Sequence, residues 1–157
     1  MKKINELKFR VFLVDAKTNT YASDKKDLDR TLEDGSKELV YENGIYRYKD
    51  RYFGRTSFHG QEIAFINDKP VWSMCYFGRS NYKYPAELGK FLKFALRHVT
   101  EEKPFRGPFE IEDGNLRYVN INTGALWNFS GVEKIFHKNN GSSDGIYRLD
   151  YFGGAII

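Results

Sequence analysis

Apolar residues change their period several times along this chain, and the changes divide it into elements. Across residues 4–17, Phe9, Phe12, Leu13 and Ala16 keep the i, i+3, i+4, i+7 spacing of a helical stripe. That stripe predicts a helix, although Arg10-Val11-Phe12-Leu13-Val14 has the composition of a strand. From Thr18 to Lys37 the chain is polar and aperiodic, with Asp34-Gly35-Ser36 as a turn signal, and reads as a long loop. Short aromatic and β-branched runs then fill Glu38 to Arg79, separated by Glu42-Asn43-Gly44 and Asn67-Asp68-Lys69-Pro70 as hairpin turns separate strands. Four antiparallel strands are expected there. Pro85 opens the clearest helix, whose Leu88, Phe91, Leu92, Ala95, Leu96 and Val99 form one stripe ending before Pro104. Four more strands are expected from Phe109 to Ile157, with turns at Glu112-Asp113-Gly114 and Asn139-Asn140-Gly141.

The second strand region echoes the first, residues 42–78 recurring in residues 112–153 as three blocks in the same order. Glu42-Asn43-Gly44-Ile45-Tyr46-Arg47-Tyr48 matches Glu112-Asp113-Gly114-Asn115-Leu116-Arg117-Tyr118. Phe58-His59-Gly60-Gln61-Glu62 matches Phe129-Ser130-Gly131-Val132-Glu133, and Val71 to Gly78 matches Ile146 to Gly153. Strand alternation places Trp72, Met74 and Tyr76 on one face and Tyr147, Leu149 and Tyr151 on its counterpart, so both stripes read as core. Gly60 and Gly131 read as bulge or close-approach positions. The expected fold is therefore α+β: two tandem helix-plus-four-strand antiparallel units, one over about residues 1–80 and one over about 85–157, related by a pseudo-two-fold. The helices would lie on one sheet face, and residues 1–157 would form a single domain.

Composition narrows the classes. An apolar fraction of 41% and an aromatic fraction of 17% argue against disorder. The formal charge of +4 is mild, short of the clustered footprint of a dedicated nucleic-acid binder. The mixed run Asp24 to Arg30 reads as solvated surface. Cys75 is the single cysteine, which excludes an internal disulfide and a multi-cysteine zinc site and suits a reducing compartment. Charges interrupt the N-terminal apolar residues, and no apolar run reaches the length of a membrane span, so a cytoplasmic protein without a membrane partner is expected.

The strings Tyr52-Phe53-Gly54, Phe58-His59-Gly60-Gln61-Glu62 and Lys69 to Arg79, with Tyr151-Phe152-Gly153-Gly154 at the far end, resemble a bacterial domain-of-unknown-function family. Its members occur alone or behind an Xre-type helix-turn-helix domain. The resemblance implies no activity and no catalytic residue; it implies a regulatory or sensing role by association. No DNA-binding segment is expected ahead of the domain in this chain.

Among candidate chemistries, Glu62 and Glu133 hold equivalent positions, each two residues before an apolar neighbour. Either they form an acid–base carboxylate pair, or each holds a strand edge, a bulge amide or an arginine such as Arg47 or Arg117. Cys75 reads as a buried small hydrophobe, or as a nucleophile if His59 approaches it. His59, His98 and His137 do not assemble a metal set and read as surface or capping residues. No phosphate-binding glycine motif is present. The tetrads Tyr52 to Arg55 and Tyr76 to Arg79 interleave aromatics with a cation, as a single-stranded nucleic-acid site does. They equally fit strands whose Tyr and Phe point to opposite faces, so a nucleic-acid partner is not expected.

The resulting expectation is a non-enzymatic module that binds a small, partly aromatic or apolar ligand between the two halves, without a cofactor or metal, and with a transcriptional regulator as a candidate partner. The ligand set would be Tyr52, Arg55, His59, Gln61, Glu62, Trp72, Tyr76 and Arg79. Of these His59, Gln61, Arg55 and Arg79 are unshared between the halves, and so are better functional candidates than a glutamate present in both. The alternatives are a small hydrolase or lyase using Glu62 with His59 or Glu133, and a nucleic-acid or protein-interaction domain beside a regulator.

Overall fold

The computed structural model describes residues 4–25, 27–81, 85–139 and 145–156. The expected turn at Asn140-Gly141, most of the loop that follows it, and Lys26 of the charged run lie outside the described residues. In chain order the elements are α1 (Glu6–Asn19), β1 (Arg30–Thr31), β2 (Lys37–Asn43), β3 (Tyr46–Gly54), β4 (Ser57–Ile66), β5 (Lys69–Ser80), α2 (Pro85–Leu96), β6 (Glu110–Asp113), β7 (Leu116–Ala125), β8 (Asn128–His137) and β9 (Tyr147–Ala155).

All nine strands join one antiparallel sheet in the order β1-β2-β3-β4-β5-β9-β8-β7-β6. The protein is mostly β, which corrects the α+β expectation of two tandem helix-plus-four-strand units. Strands β5 and β9 pair from Trp72↔Ala155 to Ser80↔Tyr147 and fuse the two meanders into a single surface. A long β5 or β9 left at the edge of its own unit would expose a row of unpaired amides and carbonyls, and joining them removes both edges. Strand β1, in the stretch expected to be loop, adds two residues against β2.

Helix α1 starts where the Asn5 side chain accepts from the Lys8 amide at 3.0 Å. Its Phe9, Phe12, Leu13 and Ala16 are at most 3% exposed and join the same core as Leu88, Phe91 and Ala95 of α2. Strand alternation supplies the other wall from Tyr48, Ala64, Trp72, Met74, Tyr76, Tyr118, Phe129, Ile135, Tyr147, Leu149 and Tyr151, all buried. Phe129 stacks on Phe105 at a centroid distance of 3.9 Å and on Trp72 at 5.6 Å. The Trp72 indole donates to the Leu126 carbonyl at 2.9 Å. This is the inner face.

The outer face carries the intervening residues, and Phe77, Ile121 and Phe152 remain 55%, 61% and 64% exposed on it. Gly54 and Gly124 end β3 and precede the β7–β8 turn with φ of +89° and +88°. A Cβ on either would lie 2.1 Å from the Ser57 carbonyl oxygen or 2.2 Å from that of Asn128. We expect Gly124→Ala to lower stability by about 1–3 kcal/mol, because it combines a left-handed backbone with a backbone clash. A shifted urea midpoint at unchanged slope would register it.

Candidate functional site

Strand parity gathers charge on the inner face. Asp50 of β3 pairs with Glu62 of β4, and Asn120 of β7 pairs with Glu133 of β8, so all four side chains point toward the helices. Glu62 and Glu133 are fully buried. Lys17, in the last turn of α1, is buried with them and bonds Glu62. Arg106, from the segment between α2 and β6, donates to Glu133 Oε1 at 2.7 Å and lies 3.8 Å from Glu62 Oε1.

Tyrosines complete the arrangement. Tyr118 donates to Glu133 Oε2 at 2.5 Å and Tyr147 donates to Oε1 at 2.6 Å, so Glu133 accepts from three groups. Tyr76 donates to Asp50 at 2.7 Å, and Tyr151 donates to Asn120 at 2.8 Å. The Lys17 ammonium lies 5.5–5.7 Å from the ring centroids of Tyr21, Tyr48 and Trp72. Glu62 Oε1, Arg106 Nε and the Tyr48 hydroxyl have no hydrogen-bond partner among the described residues.

The electrostatic consequences follow from enclosing so many groups. Burial lowers the Lys17 pKa, with Glu62 opposing. Burial works against the Arg106 charge too, but Glu133 and the surrounding tyrosines hold its pKa well above the usual value. Burial lifts Asp50 from 3.8 to about 7, and the Glu62 charge pushes the same way. The Tyr118 and Tyr147 hydroxyls are raised by burial and by Glu133, so they act as donors and not as phenolates.

The sheet divides the eight expected ligand residues. Glu62, Trp72 and Tyr76 come together on the inner face, where Tyr52 also points, half-buried and donating to Asp29 at 2.9 Å. His59, Gln61 and Arg79 are exposed on the outer face, and Arg55 is exposed in the turn between β3 and β4. Their separation has a simple cause: neighbours in a strand point to opposite sides. The cations beside the glutamates are Lys17 and Arg106, whereas Arg47 pairs with Asp68, and Arg117 with Glu110. Cys75 is half-buried on the outer face, across from Gln61 and Phe152 rather than beside His59. His59 stacks on Phe53, His98 is exposed near the end of α2, and His137 ends β8.

Lys17, Asp50 and Arg106 were missed by sequence reasoning. Lys17 left a signal, since it lies four residues after Leu13 and one after Ala16, on the apolar stripe. Arg106 left none, because it sits in an aperiodic stretch and its partners are remote in the chain.

A second feature lies on the outer face where β5 meets β9. An open depression of about 540 Å³ is lined by Cys75, Phe77, Ile121, Ser130, Val132 and Phe152. It is shallow and largely apolar.

Removing one partner of a buried pair strands the other charge. Lys17→Met is expected to cost about 3–5 kcal/mol, and Lys17→Met combined with Glu62→Leu less than the sum of the single changes. Denaturant unfolding of the four proteins in that cycle measures the coupling.

A folded-state pKa of about 7 at Asp50 means that the folded protein keeps a proton which the unfolded chain releases above 3.8. Stability contributed by this group therefore falls as pH rises through that window. In Asp50→Asn that component of the slope should disappear, as urea unfolding followed across the window would show.

Residues 50–156 match the model of a family described as a domain of unknown function, DUF5680. No curated protein and no solved structure matches the chain.

Proposed function

The chain belongs to this family, and we propose that it is a non-enzymatic binding module for a small, partly aromatic or apolar ligand, held in the outer depression between β5 and β9. One observation carries this reading: Phe77, Ile121 and Phe152 stay more than half exposed around a single concavity on the central strands. Apolar groups left in water around a concave site gain free energy when a ligand covers them, about 25 cal/mol per Å². Ser130 and Asp150 at the same site supply a hydroxyl and a carboxylate for orientation.

The catalytic alternative has less to support it. Glu62 and His59 point to opposite faces, and Glu133 is taken up by Arg106, Tyr118 and Tyr147. Both glutamates are sealed from solvent. The resemblance to bacterial domains found behind helix-turn-helix segments supports a sensing role inside the cell, with a transcriptional regulator as the responding protein. In that role the ligand changes the surface that the regulator touches.

Cys75 lines the depression and is the chain's single cysteine, so its alkylation rate reports occupancy. Small aromatic compounds that bind there should slow labelling of Cys75 and raise the melting temperature. Phe152→Ser should weaken their binding by roughly tenfold, from about 1–2 kcal/mol of lost apolar contact. A library of such compounds that leaves both the labelling rate and the melting temperature unchanged would count against the reading.

A further inference from the structure

Resting on the outer-face reading, in which uncovered rings surround the depression, we propose that a second copy of this chain packs face to face on the outer sheet and seats its Phe77 and Phe152 rings there. The register supplies the geometry. Tyr76 pairs with Tyr151 on the inner side, and flanking that pair on the outer side Phe77 stands opposite Asp150 and Phe152 opposite Cys75. These four residues mark the corners of a rectangle, with rings on one diagonal and the shorter Cys75 and Asp150 on the other. A two-fold axis parallel to the sheet, running across the strands above the centre of the rectangle, exchanges the diagonals. Phe77 of the second copy then falls over Cys75 and its Phe152 over Asp150, and both of those shorter residues line the depression. A two-fold interface must fit itself, and bulky residues set against gaps in the same patch let it interdigitate as two packed sheets do.

Extent argues for a protein occupant. Phe53, His59, Phe77, Asp150, Val132 and Ile121 are cross-strand neighbours in a single row from β3 to β7. A small ligand fills the depression and leaves Phe53, at the far end of that row, in water. The six strands that carry the row form a face about 24 Å wide and about 30 Å long, roughly 700 Å² in flat projection. A stable interface takes about 800 Å² of accessible surface from each partner, which a rough face of this size supplies.

Charge argues that the occupant is a copy. Arg148 bonds Asp150, Arg51 bonds Asp34 and Arg117 bonds Glu110, so these outer cations are engaged within the chain and call for no acidic partner. Arg79, Arg148 and Lys134 form one row beyond the rectangle, and the same axis sets that row over Ser73, Gly154 and Asn128 of the second copy, which carry no charge. An axis along the strands would instead lay Arg79 of each copy over Arg148 of the other. The axis that interlocks the rings across the strands is thus also the one that keeps like charges apart.

The experiment is sedimentation equilibrium of the full chain from about 0.1 to 100 μM, the range in which interfaces of this size hold together, with the alkylation rate of Cys75 followed over the same concentrations. A dimer should form, and labelling of Cys75 should slow as it does. Phe77→Ser with Phe152→Ser should weaken the dimer by about tenfold or more. Cys75→Trp, which fills the gap that receives Phe77, should weaken it as much, whereas Phe152→Tyr, which retains a ring, should pair like the parent. Melting curves check that each variant is folded.

The proposal falls if the chain stays monomeric throughout that range, if a dimer forms while Cys75 is labelled at the monomer's rate, or if the ring and Cys75 variants dimerise like the parent. A monomer whose Cys75 is nevertheless protected by aromatic compounds would remove this inference and leave the small-ligand reading standing. A ring-dependent dimer that no aromatic compound loosens would keep this inference and remove that reading.

Discussion

Arg106 beneath the sheet is the contact that the inner face depends on. Taking a guanidinium and two carboxylates out of water costs several kcal/mol per ion, and a single ion pair rarely offsets that. The protein offsets it with number. Glu133 accepts from Arg106, Tyr118 and Tyr147, and Glu62 takes Lys17 while lying within 3.8 Å of Arg106. These donors come from α1, from the segment before β6, and from β7 and β9. One cluster thereby ties together elements that share few other polar contacts. Helix α1 is fastened at its C-terminal end by Lys17 and along its length by Phe9, Phe12 and Leu13. Sliding the helix by one turn would move the ammonium about 5 Å from its carboxylate and break the pair.

The cluster also sets what the opposite face can be. Strand alternation commits every second residue to the inner side, and the inner side takes Asp50, Glu62 and Glu133. Most of the remaining cations of the central strands are left outside, among the uncovered rings. Those outer cations find acids of their own: Arg47 pairs with Asp68, Lys49 lies near Glu38, Arg51 bonds Asp34 and Arg148 bonds Asp150.

Much of the secondary structure was legible in the sequence. The hairpin turns at Glu42-Asn43-Gly44, Asn67-Asp68-Lys69-Pro70 and Glu112-Asp113-Gly114 and the stripe of α2 coincide with the observed strands and helix, because each depends on residues close in the chain. The expected close approach at Gly60 and Gly131 is real: a Cβ at either would come within 2.4 Å of the Tyr76 or Tyr151 hydroxyl. What was not legible is long-range. The pairing of β5 with β9 joins residues far apart in sequence, and either strand carries the same alternation whether it pairs there or ends a smaller sheet. The site failed for a related reason. His59, Gln61 and Glu62 are neighbours in sequence, yet one strand sends the first two outward and pairs them with exposed residues, while the third enters the core. Choosing the residues unshared between the repeats selected for the outer face, since the shared ones are mostly those that pack inside.

That selection bears on how the two faces relate. A residue type that recurs at Tyr76 and Tyr151, at Gly60 and Gly131, or at Glu62 and Glu133 answers a demand that the sheet makes twice: a hydroxyl donor, a space for a ring, a buried acceptor. The outer residues at the same strand positions differ. Cys75 stands where Asp150 recurs in the repeat, and Phe77 and Phe152 are the outward aromatic pair that both halves keep. Packing cannot explain this pair, because neither ring packs against a core; Phe77 and Phe152 are 55% and 64% exposed. A rigid, doubly anchored inner face holds their backbones in place on β5 and β9. The outer rings are therefore pre-positioned, and a ligand laid across them need not order the strands that carry them.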